Sequence, residues 1–110
     1  MRRVVSVSLL ALSAGVYAST ALALTHTDKT VEVVHSPDTR ECVFFRLTGV
    51  TQADPVTPGV SWFAVPKTHA GYKEIVAILL QARATGAPLQ HVATTGAVAC
   101  GHAEVSSLSL

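Results

Sequence analysis

The first 23 residues have the pattern of a cleaved secretory signal, which leaves a short chain to fold. A basic segment, residues 1–3, precedes an apolar run, residues 4–16, and Ala21 and Ala23 supply the small residues that signal peptidase reads. The apolar run is short and interrupted by serine, and no later segment reaches about 18 apolar residues. We therefore expect cleavage after Ala23. Cleavage after Ala18 is the second choice, and an uncleaved anchor is the alternative.

Cleavage after Ala23 would leave residues 24–110, enough for one small domain that a covalent cross-link would help to stabilise. It would also remove Arg2 and Arg3, so the formal net charge would change from +1 to −1. Binding to nucleic acid relies on a basic patch, which this charge balance disfavours. We expect a single secreted or periplasmic domain with no membrane span and no nucleic-acid partner.

Two cysteines, Cys42 and Cys100, lie in this domain, 58 residues apart. In an oxidising compartment a disulfide is the usual state of two such cysteines. Chain-entropy arguments give a stabilisation of about 4 kcal/mol for a loop of this size. We predict an intramolecular Cys42–Cys100 disulfide, with an intermolecular bridge or two free thiols as the alternatives.

Five segments have the composition of β-strands, namely residues 30–35, 42–50, 60–66, 88–95 and 102–110. In the second segment, Phe45 and Leu47 share one face, whereas Cys42 and Phe44 share the other. In the last segment the alternation changes phase near residues 106–107, which predicts a β-bulge. Residues 51–59 contain two prolines and a glycine and are predicted to form a loop, and the stretch around residues 96–101 is predicted to connect the last two strands.

One segment, residues 69–85, has helical periodicity and is followed by Gly86 and Pro88 as its cap and stop. Its apolar residues span about 200° of the helical wheel, wider than the stripe of a typical surface helix. We expect the helix to cover the sheet and also to contact a second copy of the chain; a helix fully covered within a monomer is the alternative. The predicted interface residues are Tyr72, Ile75, Ile78 and Leu79.

The order β-β-β-α-β-β within one short domain is that of an OB-fold, a five-stranded barrel with its helix between strands three and four. We predict a mainly β (α+β) OB-fold-like barrel over residues 24–110. A cystatin-like or other α+β sheet is the alternative.

Three segments resemble a known family. The chain resembles secreted toxin B subunits of the subtilase-cytotoxin and pertussis type. The similar segments are the leader, the cysteine-bearing strand ECVFFRL (residues 41–47) and the helix with the ATGAPLQHV that follows it (residues 84–92). The similarity covers residues 30–94 and is strongest over residues 72–92. It implies a pentameric, glycan-binding subunit that accompanies a toxin A chain, with its helices lining the ring. Residues 89–94 lack the aromatic side chains that follow this turn in those toxins, so no sugar site is transferred.

Two places could carry a ligand. Trp62 can stack on a sugar ring, although it shares its phase with Val60 and Ala64, which favours a core position. The loop of residues 51–59 presents polar side chains on a turn stiffened by prolines, and an ordinary connection is the alternative. Its candidate ligand-binding residues are Gln52, Asp54 and Thr57.

Catalytic and metal chemistry are both disfavoured. Cys100 beside His102 could act as nucleophile and base only as a free thiolate, which a disulfide removes. Cys100, His69, His91 and His102 lack the close spacing of metal ligands. We expect no catalytic residue, no metal and no cofactor. The predicted function is a non-enzymatic binding module for a host glycan, and a stand-alone periplasmic structural or regulatory protein without sugar binding is the alternative.

Overall fold

The computed structural model describes residues 23–37 and 39–110, so the predicted signal up to residue 22 lies outside the described residues. The elements, in chain order, are β1 (Thr25–Lys29), β2 (Val31–His35), β3 (Cys42–Leu47), β4 (Phe63–Pro66), α1 (Tyr72–Thr85), β5 (Leu89–Ala99) and β6 (His102–Ser109). The described chain is mainly β with one helix between the fourth and fifth strands. In this part of the chain, no helix has the length and apolar character needed to cross a membrane.

The strands form one six-stranded sheet in the order β1-β5-β6-β4-β3-β2. Neighbours pair antiparallel, except β4 and β6, which are parallel. The predicted mainly β chain with a single helix is confirmed. The predicted count of five strands is wrong, and the closed barrel is not confirmed, since the sheet has six strands and an open order.

The additional strand is β1, which the hydrophobic pattern could not reveal. Its sequence is THTDK, and three of its five side chains are exposed. It lies at an edge of the sheet, and among the described strands its one partner is β5. Because this edge strand buries little apolar surface, it has no clear alternation of polar and apolar residues.

The last two strands also differ from the prediction. Residues 96–99, expected as a connection, belong to β5, and the chain turns back at Cys100 and Gly101. The predicted bulge is confirmed: Ala93 pairs with Ser107 but Thr94 pairs with Val105, so Ser106 is the extra residue. The phase change lets residues on both sides of the bulge enter the core.

The main core lies between α1 and one face of the sheet. Its largest fully buried side chains are Phe45, Phe63, Leu47, Leu79, Leu89, Val65, Val92 and Val105. Burial of one such side chain stabilises the fold by about 1.5–3 kcal/mol. Side chains on the other face of β3 contribute to a second cluster. In this cluster Cys42, Phe44 and Ala64 are buried, and Trp62 packs against them. Both faces of β3 are therefore covered, as its alternation predicts.

The helix starts later than predicted, at Tyr72, and ends as predicted before Gly86, whose φ of 73° is left-handed. His69 holds the start of the helix against the sheet. The Gly71 N–H donates to His69 Nδ1 (2.9 Å), so the proton lies on Nε2, which donates to the Ser106 carbonyl (2.9 Å). One imidazole ring thus joins the first turn of α1 to the bulge of β6.

The predicted interface residues of α1 face their own core. Ile75 and Leu79 are 6% and 0% exposed, and Tyr72 and Ile78 pack against the same cluster. Ile75 and Leu79 therefore present little surface to a second copy in this arrangement, and the interface of α1 stays a prediction. Leu80 is the large apolar residue of α1 that is exposed.

Candidate binding pocket

A disulfide joins the two segments next to which the candidate pocket lies. Cys42 at the start of β3 is bonded to Cys100 in the turn between β5 and β6, as predicted. Both cysteines of the chain are used in this bond, so Cys100 has no free thiol to serve as a nucleophile.

A cavity of about 240 Å³ opens beside this disulfide, against the second cluster. Its lining residues are His35, Pro37, Arg40, Phe44, Trp62 and His102. They come from the end of β2, the turn before β3, β3 itself, the residue before β4 and the start of β6. The sheet register explains part of this convergence, because His35 pairs with Phe44 across β2 and β3.

Aromatic rings form much of the pocket wall. Phe44 is buried, and the His102 ring meets it edge-on, with 5.2 Å between ring centroids and 84° between planes. The Trp62 ring is half-buried and lies 6.3 Å from the His35 ring, tilted by 56°. Such rings offer apolar faces together with polar edges.

Two arginines lie over these rings. The Arg40 guanidinium is 5.5 Å from the Phe44 centroid, and the Arg46 guanidinium is 4.8 Å from the Trp62 centroid. Arg40 donates through Nη1 to the Cys100 carbonyl (2.8 Å), and among residues 23–37 and 39–110 its other N–H groups have no hydrogen-bond partner. Arg46 Nε lies 3.4 Å from Glu32 Oε1, an ion pair that holds this arginine across β2 and β3. Arg40 is therefore the cation that lines the pocket.

His102 adds an unsatisfied polar atom. Its Nδ1 is buried and has no hydrogen-bond partner within the described ranges. Burial lowers the pKa of His102, and the positive charge of Arg40 lowers it further. Both effects favour the neutral ring. A buried polar atom without a partner, next to a cavity, can be satisfied by a ligand or by water.

The predicted loop residues do not line this pocket. Asp54 is fully buried: its Oδ1 accepts from the Val56 N–H (2.8 Å), and its Oδ2 accepts from the Thr94 hydroxyl. Gln52 accepts from the Gly59 N–H (2.9 Å), which closes the loop on itself. Asp54 is thus buried and bonded to its own chain, away from the pocket, and its role in ligand binding stays a prediction.

Thr57 is partly buried, and its hydroxyl lies 3.4 Å from the Asp54 carbonyl. Of the four predicted ligand-binding residues, Trp62 alone lines the cavity. The structure places His102, a weak candidate for catalytic or metal chemistry in the sequence, in the pocket wall. His35, Arg40 and Phe44 were not predicted from the sequence as pocket residues. One sequence pattern could have indicated them. Phe44 and Trp62 lie in neighbouring predicted strands, on the face opposite the main core, and a turn with an arginine precedes the strand of Phe44.

The chain matches no protein-family model, and comparison with characterised proteins and with solved structures gives no significant similarity. The resemblance to toxin B subunits therefore rests on the sequence segments quoted above.

Proposed function

We propose that the protein is a secreted, non-enzymatic module that binds a glycan in the cavity beside the Cys42–Cys100 disulfide. The observation that carries the proposal is the convergence of aromatic rings, Phe44 and Trp62, with a cation, Arg40, around one small cavity. Sugar rings pack their apolar C–H faces on aromatic rings and direct polar groups to side chains at the rim.

Size and charge narrow the ligand class. The cavity is smaller than the roughly 300–1,000 Å³ of drug-sized pockets, which suits a single sugar residue. Arg40 also lines a second depression with Thr39, Glu41, Cys100 and Gly101, so a longer glycan could continue past it. The Arg40 N–H groups that have no partner within the described part of the chain match the two oxygens of a carboxylate, which favours acidic sugars over neutral ones.

We also propose that the sheet is an OB-fold-like barrel. Two features support this: β4 and β6 pair in parallel, and the edge strands β1 and β2 are separated in sequence only by Thr30. Lys29 pairs with β5, whereas Val31 pairs with β3. One continuous chain segment thus serves both edges. The pentamer and the toxin A chain that the resemblance implies remain proposals, and light scattering of the processed chain tests the first of them.

A glycan titration tests the binding proposal. Residues 24–110, with the disulfide formed, are titrated with neutral and uronic-acid-containing oligosaccharides by calorimetry. We expect Arg40→Gln to weaken binding of the acidic sugars about tenfold, the effect of losing one charge-assisted hydrogen bond of about 1.4 kcal/mol. Arg83→Gln, which removes the same charge from the exposed last turn of α1, is the matched control and should leave binding unchanged.

Trp62→Leu distinguishes the contribution of the aromatic ring to binding from that of the Arg40 charge. We expect it to weaken neutral and acidic sugars alike, because it removes a ring face and leaves Arg40 in place. Thermal unfolding of each variant shows whether the fold is retained. Absence of binding to every sugar by the folded parent protein would refute the proposal and favour the structural or regulatory alternative.

A further inference from the structure

We propose that Asp54 and Thr94 form a docking site for the α-ammonium group that cleavage after Ala23 creates on Leu24. This inference rests on the proposed export and processing of the chain and is independent of glycan binding. It assigns a role to the fully buried carboxylate that the pocket does not use.

Thr94 forms hydrogen bonds with both the N–H and the carbonyl of Leu24. The Leu24 N–H donates to Thr94 Oγ1 (3.0 Å), and the Thr94 N–H donates to the Leu24 carbonyl (2.9 Å). Directly after Leu24, β1 begins its pairing with β5. The nitrogen that processing would free is therefore already fixed at one position on the folded domain.

Asp54 lies next in the same hydrogen-bonded chain. The Thr94 hydroxyl contacts Asp54 Oδ2, while the Val56 N–H donates to Asp54 Oδ1 (2.8 Å). The side chain is 0% exposed. Within residues 23–37 and 39–110, the only ion pair is that of Arg46 with Glu32, so this part of the chain supplies Asp54 with no cationic side chain. A buried carboxylate is strongly stabilised by a nearby positive charge.

Processing would supply that charge. Signal peptidase adds water across the Ala23–Leu24 bond: hydroxyl goes to the Ala23 carbonyl carbon, the C–N bond breaks, and the Leu24 nitrogen receives a proton. At neutral pH the new amine takes a second proton from solvent and carries a positive charge. One neutral N–H donor becomes an ammonium with three donors, linked to Asp54 through Thr94. Cleavage after Ala18 would place the charge on Ser19, five residues before Leu24.

The test compares two chains, one beginning at Leu24 and one at Ser19, each prepared with a free amine. We expect the Leu24 chain to have a tenfold lower unfolding equilibrium constant in urea at pH 7, and acetylation of Leu24 to abolish the gain. Docking raises the pKa of the Leu24 amine. The extra stability of the Leu24 chain should therefore be complete at pH values below the ordinary pKa of an α-amine, and it should be lost as pH rises through the raised pKa. Asp54→Asn should remove the difference between the chains. Equal stability of the two parent chains, or a difference that survives in Asp54→Asn, would overturn the proposal.

A second readout needs no substitution at a buried site. At pH 7 an acylating reagent should modify the Leu24 amine at least tenfold more slowly than the Ser19 amine, because the docked ammonium is charged and hydrogen-bonded. Equal rates would refute docking, whether or not Asp54→Asn folds. Neither readout involves a sugar, so failure here and failure of glycan binding are distinguishable. Mass spectrometry of the exported protein should identify Leu24 as the first residue, and a first residue of Ser19 would also overturn the proposal.

Discussion

Phe45 and Phe63 stack face to face in the main core, with 4.9 Å between ring centroids and 7° between ring planes. They are direct partners in the register of β3 and β4, and both are fully buried. The stack therefore joins two neighbouring strands through their side chains as well as through backbone hydrogen bonds. Such a pair contributes about 0.5–1.5 kcal/mol beyond the burial of its area.

Truncation of this stack should be costly. We expect Phe63→Ala to lower the free energy of unfolding by about 3–5 kcal/mol, since it removes a buried ring and leaves a cavity. Urea denaturation provides the measurement, and Phe45→Leu offers a milder change if Phe63→Ala does not fold. Val98→Ala, at an exposed strand position, is the control and should change stability by less than about 0.5 kcal/mol. A loss below about 1 kcal/mol for Phe63→Ala would contradict the packing described.

Loss of the disulfide should destabilise the domain by about 4 kcal/mol, because reduction frees a long loop in the unfolded chain. The chain has only two cysteines, so a reductant acts on this bond alone. Urea midpoints with and without reductant measure the effect, and Cys42→Ser with Cys100→Ser should reproduce it. Identical midpoints in the two conditions would show that the bond does not constrain the unfolded state.

His69→Ala should lower stability by about 1–2 kcal/mol, since it removes the acceptor for the Gly71 N–H and the donor to the Ser106 carbonyl. Hydrogen exchange of the first turn of α1 should accelerate in this variant. Lys73→Ala, at an exposed position of the same helix, is the matched control. Unchanged exchange at the helix start would argue against the linking role of this ring.

His102 should make stability depend on pH. Its pKa is lower in the folded state than in the unfolded chain, where it is about 6.5, so the unfolded state binds the proton more readily. Stability from this residue is therefore complete above about pH 6.5 and is lost as pH falls through the lowered value. His102→Gln should flatten this part of the pH profile of urea midpoints. A profile that is equally steep in the variant would assign the dependence to other groups.

Some features of the fold were predictable because the residues carry a local pattern. The alternation from Cys42 to Leu47 indicated a strand covered on both faces, and the phase change at Ser106 indicated a bulge. The disulfide followed from the predicted leader and the presence of two cysteines. Each of these inferences needs only near neighbours in sequence or the redox state of a compartment.

The remaining features depend on contacts that are distant in sequence. β1 is polar and becomes a strand only because β5 offers it an edge. Asp54 looks like a surface loop residue until Thr94, 40 residues away, is placed against it. The pocket joins Arg40, Trp62 and His102 from three separate segments. No window of the sequence contains that arrangement, so pattern analysis could propose Trp62 and miss the residues around it.

The placement of β1 and β2 at the two ends of the sheet has a consequence for behaviour at high concentration. Each edge strand is only five residues long, and the two carry the charged side chains of Asp28, Lys29 and Glu32. Short, charged edges pair poorly with strands from other molecules. The edges that the structure describes therefore protect the protein against β-sheet aggregation, a hazard for a domain this rich in strands.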